Sequence, residues 1–122
     1  MLDQLATQMS RAAEDPSADA VHDLRVAVRR ASQALRLFET ELPAGSRRLR
    51  REIRAIRARA AAVRDRDVTG QLLRRHRLPS ADPARVYLSG QRDLAAQQLR
   101  DYLERRLKKE RPRKWQEWLG AS

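Results

Sequence analysis

Four cationic side chains recur along one segment in the first third of the sequence: His22, Arg25, Arg29 and Arg36, separated by three, four and seven residues. On an α-helix, which turns by about 100° per residue, this spacing places all four within an arc of about 60°. The arginine guanidinium keeps its charge and presents a planar fork that fits phosphate oxygens, and histidine adds a further hydrogen-bond donor. The row is therefore suited to binding a phosphate-containing anion.

The same segment also carries the apolar pattern of a helix that faces a protein core. An apolar residue stands one position before each of the four cations, and the series continues at alternating spacings of three and four. Val26 and Leu37 border the cations on the other side. Cations between two apolar borders indicate a lined groove, not a fully solvated face. The apolar series consists of Val21, Leu24, Val28, Ala31, Leu35 and Phe38.

A second basic row follows between residues 47 and 64, within an arc of about 100°. If the two helices pack through their apolar stripes, both rows converge on one groove. An arginine-rich helix is often a solvated face, and that alternative remains open for this segment. The row consists of Arg47, Arg50, Arg54, Arg57 and Arg64, beside the apolar series Leu49, Ile53, Ile56, Ala60 and Val63, whereas Arg48, Arg51, Arg59 and Arg66 point elsewhere.

Residues that could support catalysis are few. His22 and His76 have no partner at metal-ligand spacing, and the sequence contains neither cysteine nor a glycine-rich phosphate loop. Asp65 and Asp67 resemble a pair of acid–base carboxylates, but in an arginine-rich segment we expect them to orient neighbouring arginines or to cap a break in the helix. We therefore expect no catalytic residue, no metal site and no cofactor, and a protein that is not an enzyme.

Net charge restricts the partners. The 122 residues include 27 Lys and Arg against 16 Asp and Glu, which gives a formal net charge of +11. An excess of this size favours a polyanionic partner, which could be a nucleic acid, polyphosphate or a membrane surface. The first residues lack the apolar region of a signal peptide, and no window approaches the length of a membrane span. We expect a soluble, cytoplasmic protein without a membrane partner.

Helices must position these side chains, because no alternating strand pattern is visible and only four glycines and five prolines occur. We predict an all-α fold, an antiparallel four-helix bundle that forms a single domain over residues 1–122. Ser46 is expected to cap the third helix, and Asp82 with Pro83 to start the fourth. The predicted helices span residues 2–14, residues 17 or 18 to 42, a third segment that begins after residue 46, and residues 83–110. The third helix could kink near residues 69–70. A short amphipathic segment follows at 112–119, in which we expect Trp115 and Trp118 to cover the bundle end or an interface.

Two stretches resemble the signature motifs of CHAD domains, the conserved-histidine α-helical domains. The run His22-Asp23-Leu24-Arg25-Val26-Ala27-Val28-Arg29-Arg30, continuing to Leu35-Arg36-Leu37-Phe38, is similar to the signature helix of that family. Arg64-Asp65-Arg66-Asp67-Val68 is similar to its second hallmark, an Arg-Asp-x-Asp-Val motif that ends a helix. A weaker third match is Arg92, followed by Ala95 and Leu99.

The resemblance implies a non-catalytic helical bundle that binds inorganic polyphosphate through basic residues along a pore or groove. Carried over to matching positions, it implies the ligand residues His22, Arg25, Arg29, Arg36, Arg54, Arg64 and Arg92, to which the second basic row adds Arg50 and Arg57. The chain departs from the family pattern at Ser32, where a further cation is common, and at Ala60, Ala61 and Arg66.

The number of helices bears on the assembly that the resemblance implies. A typical family member has two four-helix units with the pore between them, whereas this sequence predicts one. The chain is therefore either a truncated half or a short member, two copies of which form a homodimer that completes the pore. Some members associate with polyphosphate granules, so the cytoplasmic location extends to such granules.

Two other functions compete with polyphosphate binding. A small, basic, helical protein is also typical of nucleic-acid-binding or architectural proteins, but cations between apolar borders do not suit entry into a major groove. An enzyme that acts on phosphoanhydrides would need carboxylates to hold a metal, and Asp65 and Asp67 form the only close pair near the basic rows. Polyphosphate or another polyanion is the partner we expect.

Overall fold

The computed structural model describes residues 1–37, 44–109 and 111–119, and these residues form five α-helices and no strand. The prediction of an all-helical fold is confirmed. Phe38 and the predicted end of the second helix at residue 42 lie outside the described residues, as does residue 110. The helices are α1 (Leu2–Glu14), α2 (Ala18–Leu37), α3 (Ser46–Arg75), α4 (Pro83–Lys108) and α5 (Arg111–Trp118).

Side-chain caps fix the starts of α2 and α4. The Ser17 hydroxyl accepts a hydrogen bond from the Ala20 amide at 3.2 Å, and the Asp82 carboxylate accepts one from the Ala84 amide at 2.9 Å. Both bonds satisfy amides that the first turn of a helix leaves without a partner. The predicted start of α4 at Asp82 and Pro83 is confirmed.

The predicted cap of α3 is wrong. Ser46 is the first helical residue and is buried, while Gly45 precedes it and no side chain caps the helix. Gly45, with φ −60° and ψ −21°, holds the N-cap position instead, and a Cβ atom on it would lie 2.3 Å from the Trp118 carbonyl oxygen. A residue without a side chain is required there, and this contact seats the end of α5 on the start of α3.

The third helix continues through Thr69 and Gly70 to Arg75, over 30 residues. A glycine inside a helix costs about 1 kcal/mol relative to alanine. The Thr69 hydroxyl donates to the Asp65 carbonyl oxygen at 3.0 Å, and Gly70 lies next to the Leu88 side chain of α4. Helix α3 therefore packs against α4 at the position where a kink was predicted, and it continues there without a break.

The four long helices pack in a ring around one core. Helix α1 packs against α2 and α4, α3 also packs against α2 and α4, and α5 contacts α1, α3 and α4. Trp115 of α5 is fully buried, and its indole Nε1 donates to the Glu52 carboxylate at 2.7 Å. The predicted apolar stripes within the described residues are confirmed as core, namely Leu5, Met9, Ala12, Val21, Leu24, Val28, Ala31, Leu35, Leu49, Ile53, Ile56, Ala60 and Val63, with Leu2 partly buried.

None of the helices in the described ranges combines the length and the apolar character that crossing a membrane requires.

Candidate anion-binding site

An open groove runs between α2 and α3. It comprises two adjoining cavities of about 460 Å³ and 220 Å³, which share Ser32, Arg36 and Arg57 as lining residues. We call it the α2–α3 groove. The residues that line it are His22, Arg25, Val26, Val28, Arg29, Ser32, Gln33, Leu35, Arg36, Arg50, Ile53, Arg54, Arg57 and Ala61.

The groove follows from the periodicity of the two helices. Helix α2 buries Val21, Val28 and Leu35, so the cation one position after each of them stands about 100° around the helix, at the edge of the core. Helix α3 buries its own stripe against the same core and presents Arg54 and Arg57 to the space between the helices. The packing of α2 against α3 brings the first basic row together with Arg50, Arg54 and Arg57 of the second row, whereas Arg47 and Arg64 line neither cavity.

The electrostatics of the groove are one-sided. Six arginines and His22 line it, and no carboxylate is among the lining residues in the described part of the chain. Arg25, Arg29, Arg36, Arg54 and Arg57 are exposed and form no hydrogen bond or ion pair with the described part of the chain. Arg50 is half-buried, and its Nη2 donates to the Leu35 carbonyl oxygen at 3.5 Å. Such a cluster of like charges attracts an anion of high charge density.

Comparison with known proteins bears on this groove. The sequence model of the CHAD domain matches residues 1–122. The chain belongs to the CHAD domain family. Searches of curated proteins and of solved structures gave no match.

Seven of the nine predicted site residues line the groove of this CHAD domain: His22, Arg25, Arg29, Arg36, Arg50, Arg54 and Arg57. Arg64 is half-buried further along α3 and lines neither of the two cavities. Arg92 lies on α4 and lines a different cavity, together with residues such as Arg66 and Arg85. The structure therefore separates Arg92 from the other candidates.

Arg92 joins three parts of the CHAD fold. Its Nε donates to Asp67 Oδ1 of α3 at 3.0 Å, and its Nη2 donates to the Pro16 carbonyl oxygen at 2.7 Å, in the turn that precedes α2. The side chains of Arg92 and Asp67 are only 25% and 15% exposed. Asp67 thus orients an arginine, as predicted, although that arginine belongs to α4. Within the described residues no group of three or more His, Cys, Asp and Glu side chains could hold a metal.

Sequence reasoning left three uncharged residues of the groove out of the candidate ligands. Ser32 and Gln33 line it between Arg29 and Arg36, and Ala61 lines it one turn after Arg57. Their positions on the two helices could have identified them, because residues three and four apart share a face. A search restricted to cations passes over them. Ser32, where the resemblance implies a further cation, lies where the two cavities meet.

Proposed function

We propose that this CHAD domain is a non-catalytic module that binds inorganic polyphosphate in the α2–α3 groove. The observation that carries the proposal is a groove whose described lining residues include six arginines and a histidine and no carboxylate. Membership of a family linked to polyphosphate binding supports the same ligand. The ligand would be encountered in the cytoplasm and at polyphosphate granules.

The dimensions of the groove suit an extended chain of phosphates. Residues 22 and 36 of α2 are separated by about 21 Å along the helix, at 1.5 Å per residue. A chain with one negative charge per phosphate can contact successive cations over that length. Arginine forks bind phosphate oxygens in pairs, and each bond to a charged partner contributes about 1.5–3 kcal/mol. Binding should weaken as salt rises, because a polyanion releases counterions when cations replace them.

A competition titration at physiological salt tests the ligand. Labelled long-chain polyphosphate is displaced by unlabelled polyphosphate or by duplex DNA at equal phosphate concentration. We expect polyphosphate to compete better than DNA. Equal competition would instead favour a nucleic-acid-binding protein.

Two double variants test the site. Arg25→Glu with Arg29→Glu should weaken binding by roughly a hundredfold or more, since two charged contacts of about 1.5–3 kcal/mol each are lost. Arg74→Glu with Arg75→Glu makes the same change of net charge at exposed positions in the last turn of α3 and should have a small effect. Similar losses in both variants would mean that attraction depends on net charge alone, and the groove would not be the site.

Ser32→Arg provides a gain-of-function test. The added guanidinium would stand where the two cavities of the groove meet, and it restores the cation that is common in the family. Affinity for polyphosphate should rise several-fold at fixed salt. An unchanged affinity would place the bound chain away from the centre of the groove.

We further infer that α1–α4 form one antiparallel four-helix unit and that two copies pair across the open groove. The ring of helix contacts supports the first statement. The second is supported by the family resemblance, which implies two four-helix units around one pore, and pairing there would cover Leu37, which is 80% exposed and follows the groove residue Arg36. Light scattering should give twice the mass of the chain, and Leu37→Glu should give a monomer. A monomeric mass with full polyphosphate affinity would refute the dimer.

A further inference from the structure

Exposed apolar side chains lie at both ends of the α2–α3 groove. Leu37 stands at the end of α2 and is 80% exposed, and Val68 and Leu72 stand further along α3 and are 39% and 46% exposed. Eleven residues, which make three helical turns and about 20°, separate each of them from a lining residue of the groove on the same helix. The three apolar residues therefore continue the faces that line the groove. The lining residues concerned are Val26, Arg57 and Ala61.

The two apolar ends lie at similar distances from the middle of the groove. Arg50 of α3 donates to the Leu35 carbonyl oxygen of α2, so in the antiparallel arrangement inferred above Leu37 is level with about residue 49 of α3. From that level to Val68 is about 19 residues, or roughly 28 Å at 1.5 Å per residue. The midpoint lies just beyond Arg57, within the groove. A two-fold axis through this midpoint would bring the apolar end of α2 in one copy to that of α3 in another.

We propose that two copies pair with their α2–α3 grooves face to face, so that Leu37 of each copy packs between Val68 and Leu72 of the partner subunit. The proposal rests on the function proposed above and specifies the contacts that complete its site. Because the pair is symmetric, the same contact forms at both ends. The apolar side chains are removed from water there, and the cations between the two ends enclose the space that holds polyphosphate.

The same symmetry gives a role to Arg64, which the family resemblance implies as a ligand but which lines neither cavity of its own groove. Arg64 is half-buried and forms no hydrogen bond or ion pair with the described residues. It lies about five residues beyond the midpoint, so the two-fold axis places it level with the position about five residues before the midpoint in the partner subunit. Ser32 lines the groove near that level, beside Arg54. Each copy therefore supplies Arg64 to the groove of the other, at the residue where the resemblance implies a further cation.

A mixture of two variants tests the contact between Leu37 and the far part of α3. One variant is Leu37→Glu, and the other is Val68→Lys with Leu72→Lys; all three positions are exposed, so both should fold. In sedimentation at physiological salt the original chain should be a dimer. Each variant alone should be a monomer, because charges replace the apolar contact at both ends. Their equimolar mixture should form a dimer, since one end keeps the original contact and the other joins opposite charges.

Gln97→Lys with Gln98→Lys is the control for added charge. It introduces the same two cations at exposed positions of α4 and should remain a dimer. A mixture that stays monomeric while the original chain dimerises would refute this pairing of residues. A monomeric original chain would refute the pair itself and would assign the apolar ends to a different protein. The competition titration with Arg25→Glu and Arg29→Glu measures polyphosphate binding separately, so failure of the pair is distinguishable from failure of the proposed ligand.

Arg64→Gln tests the contribution of the partner subunit. It should weaken polyphosphate binding by about tenfold in the original chain, because one charged contact is lost. In a chain that also carries Leu37→Glu, which separates the copies, the same substitution should have almost no effect. Circular dichroism checks that both variants are folded. Equal losses in the two backgrounds would mean that Arg64 acts within its own chain, and the assignment to the partner's groove would be refuted.

Discussion

Replacement of Arg92 by methionine should destabilise the fold and leave polyphosphate binding intact. The family resemblance implies that Arg92 is a ligand, whereas the structure gives its guanidinium two partners within the protein. These are Asp67 Oδ1 at 3.0 Å and the Pro16 carbonyl oxygen at 2.7 Å. Methionine retains an unbranched apolar chain and removes both bonds.

The expected loss of stability is about 3 kcal/mol. A hydrogen bond with a charged partner contributes about 1.5–3 kcal/mol, and Arg92 makes two. The lower end of that range applies because a quarter of the Arg92 side chain remains exposed to water. Asp67 also loses its ion-pair partner. Its Oδ2 atom is already buried without a hydrogen-bond partner among the described residues. Since domains of this kind are stable by about 5–15 kcal/mol, the variant should still fold.

Urea denaturation followed by circular dichroism measures the change, and the competition titration is repeated where the variant is fully folded. Arg100→Met is the matched control on the same helix, because Arg100 pairs with Glu104 at 3.1 Å in an exposed position and should cost no more than about 0.5 kcal/mol. If Arg92→Met loses as little stability as Arg100→Met and yet loses polyphosphate affinity, Arg92 is a ligand and our assignment of it is refuted.

Three further changes test the packing of the helices. Gly45→Ala should cost about 1–3 kcal/mol and alter the near-ultraviolet circular dichroism, because the new Cβ would lie 2.3 Å from the Trp118 carbonyl oxygen. Gly90→Ala should raise the free energy of unfolding by about 0.5–1 kcal/mol, since no atom lies within 4 Å of the added carbon. Trp115→Phe should lower it by about 1–3 kcal/mol in urea denaturation, because the buried Glu52 loses the indole donor.

Gly45→Ala and Gly90→Ala are controls for one another, because they make the same chemical change. The backbone of Gly45 has φ −60°, which alanine adopts without strain, so a loss there reports steric contact with α5. Equal effects of the two substitutions would contradict the close approach of Gly45 to Trp118. A midpoint in Trp115→Phe equal to that of the original chain would mean that Glu52 does not depend on the indole.

Periodicity was sufficient to predict the helices and the core-facing stripes of α1, α2 and α3, whereas the core residues of α4 were not predicted. The predicted bounds of α1 match the structure at both ends, because apolar residues at spacings of three and four end where Asp15 and Pro16 begin. The start of α4 was predicted from Asp82 and Pro83, whose side chains act locally. Features that depend on one or two helical turns can be predicted from the local sequence alone.

Contacts between distant segments were not predictable. Position on α4 does not reveal that Arg92 reaches Asp67, 25 residues earlier, and Pro16, 76 residues earlier. The backbone of Gly45 meets that of Trp118 only because α5 folds back on α3. The basic rows were predictable because each lies on a single helix, and their convergence needed only the packing of two adjacent apolar stripes.

The net charge of +11 does not describe how many cations are available to a ligand, because the two sides of α3 use arginine differently. Away from the groove, Arg59 and Arg66 each donate from Nη1 to a backbone carbonyl oxygen of their own helix at 3.2 Å, and Arg59 also lies against an aromatic ring. Facing the groove, Arg54 and Arg57 have no such partner in the described chain. The neighbouring helices differ as well, since α4 supplies the Tyr102 ring, whereas the α2 residues that line the groove are aliphatic, uncharged polar or cationic. A guanidinium without a partner, surrounded by others of like charge, is stabilised most by a bound anion. The groove is therefore better suited to polyphosphate than the net charge of the chain alone would indicate.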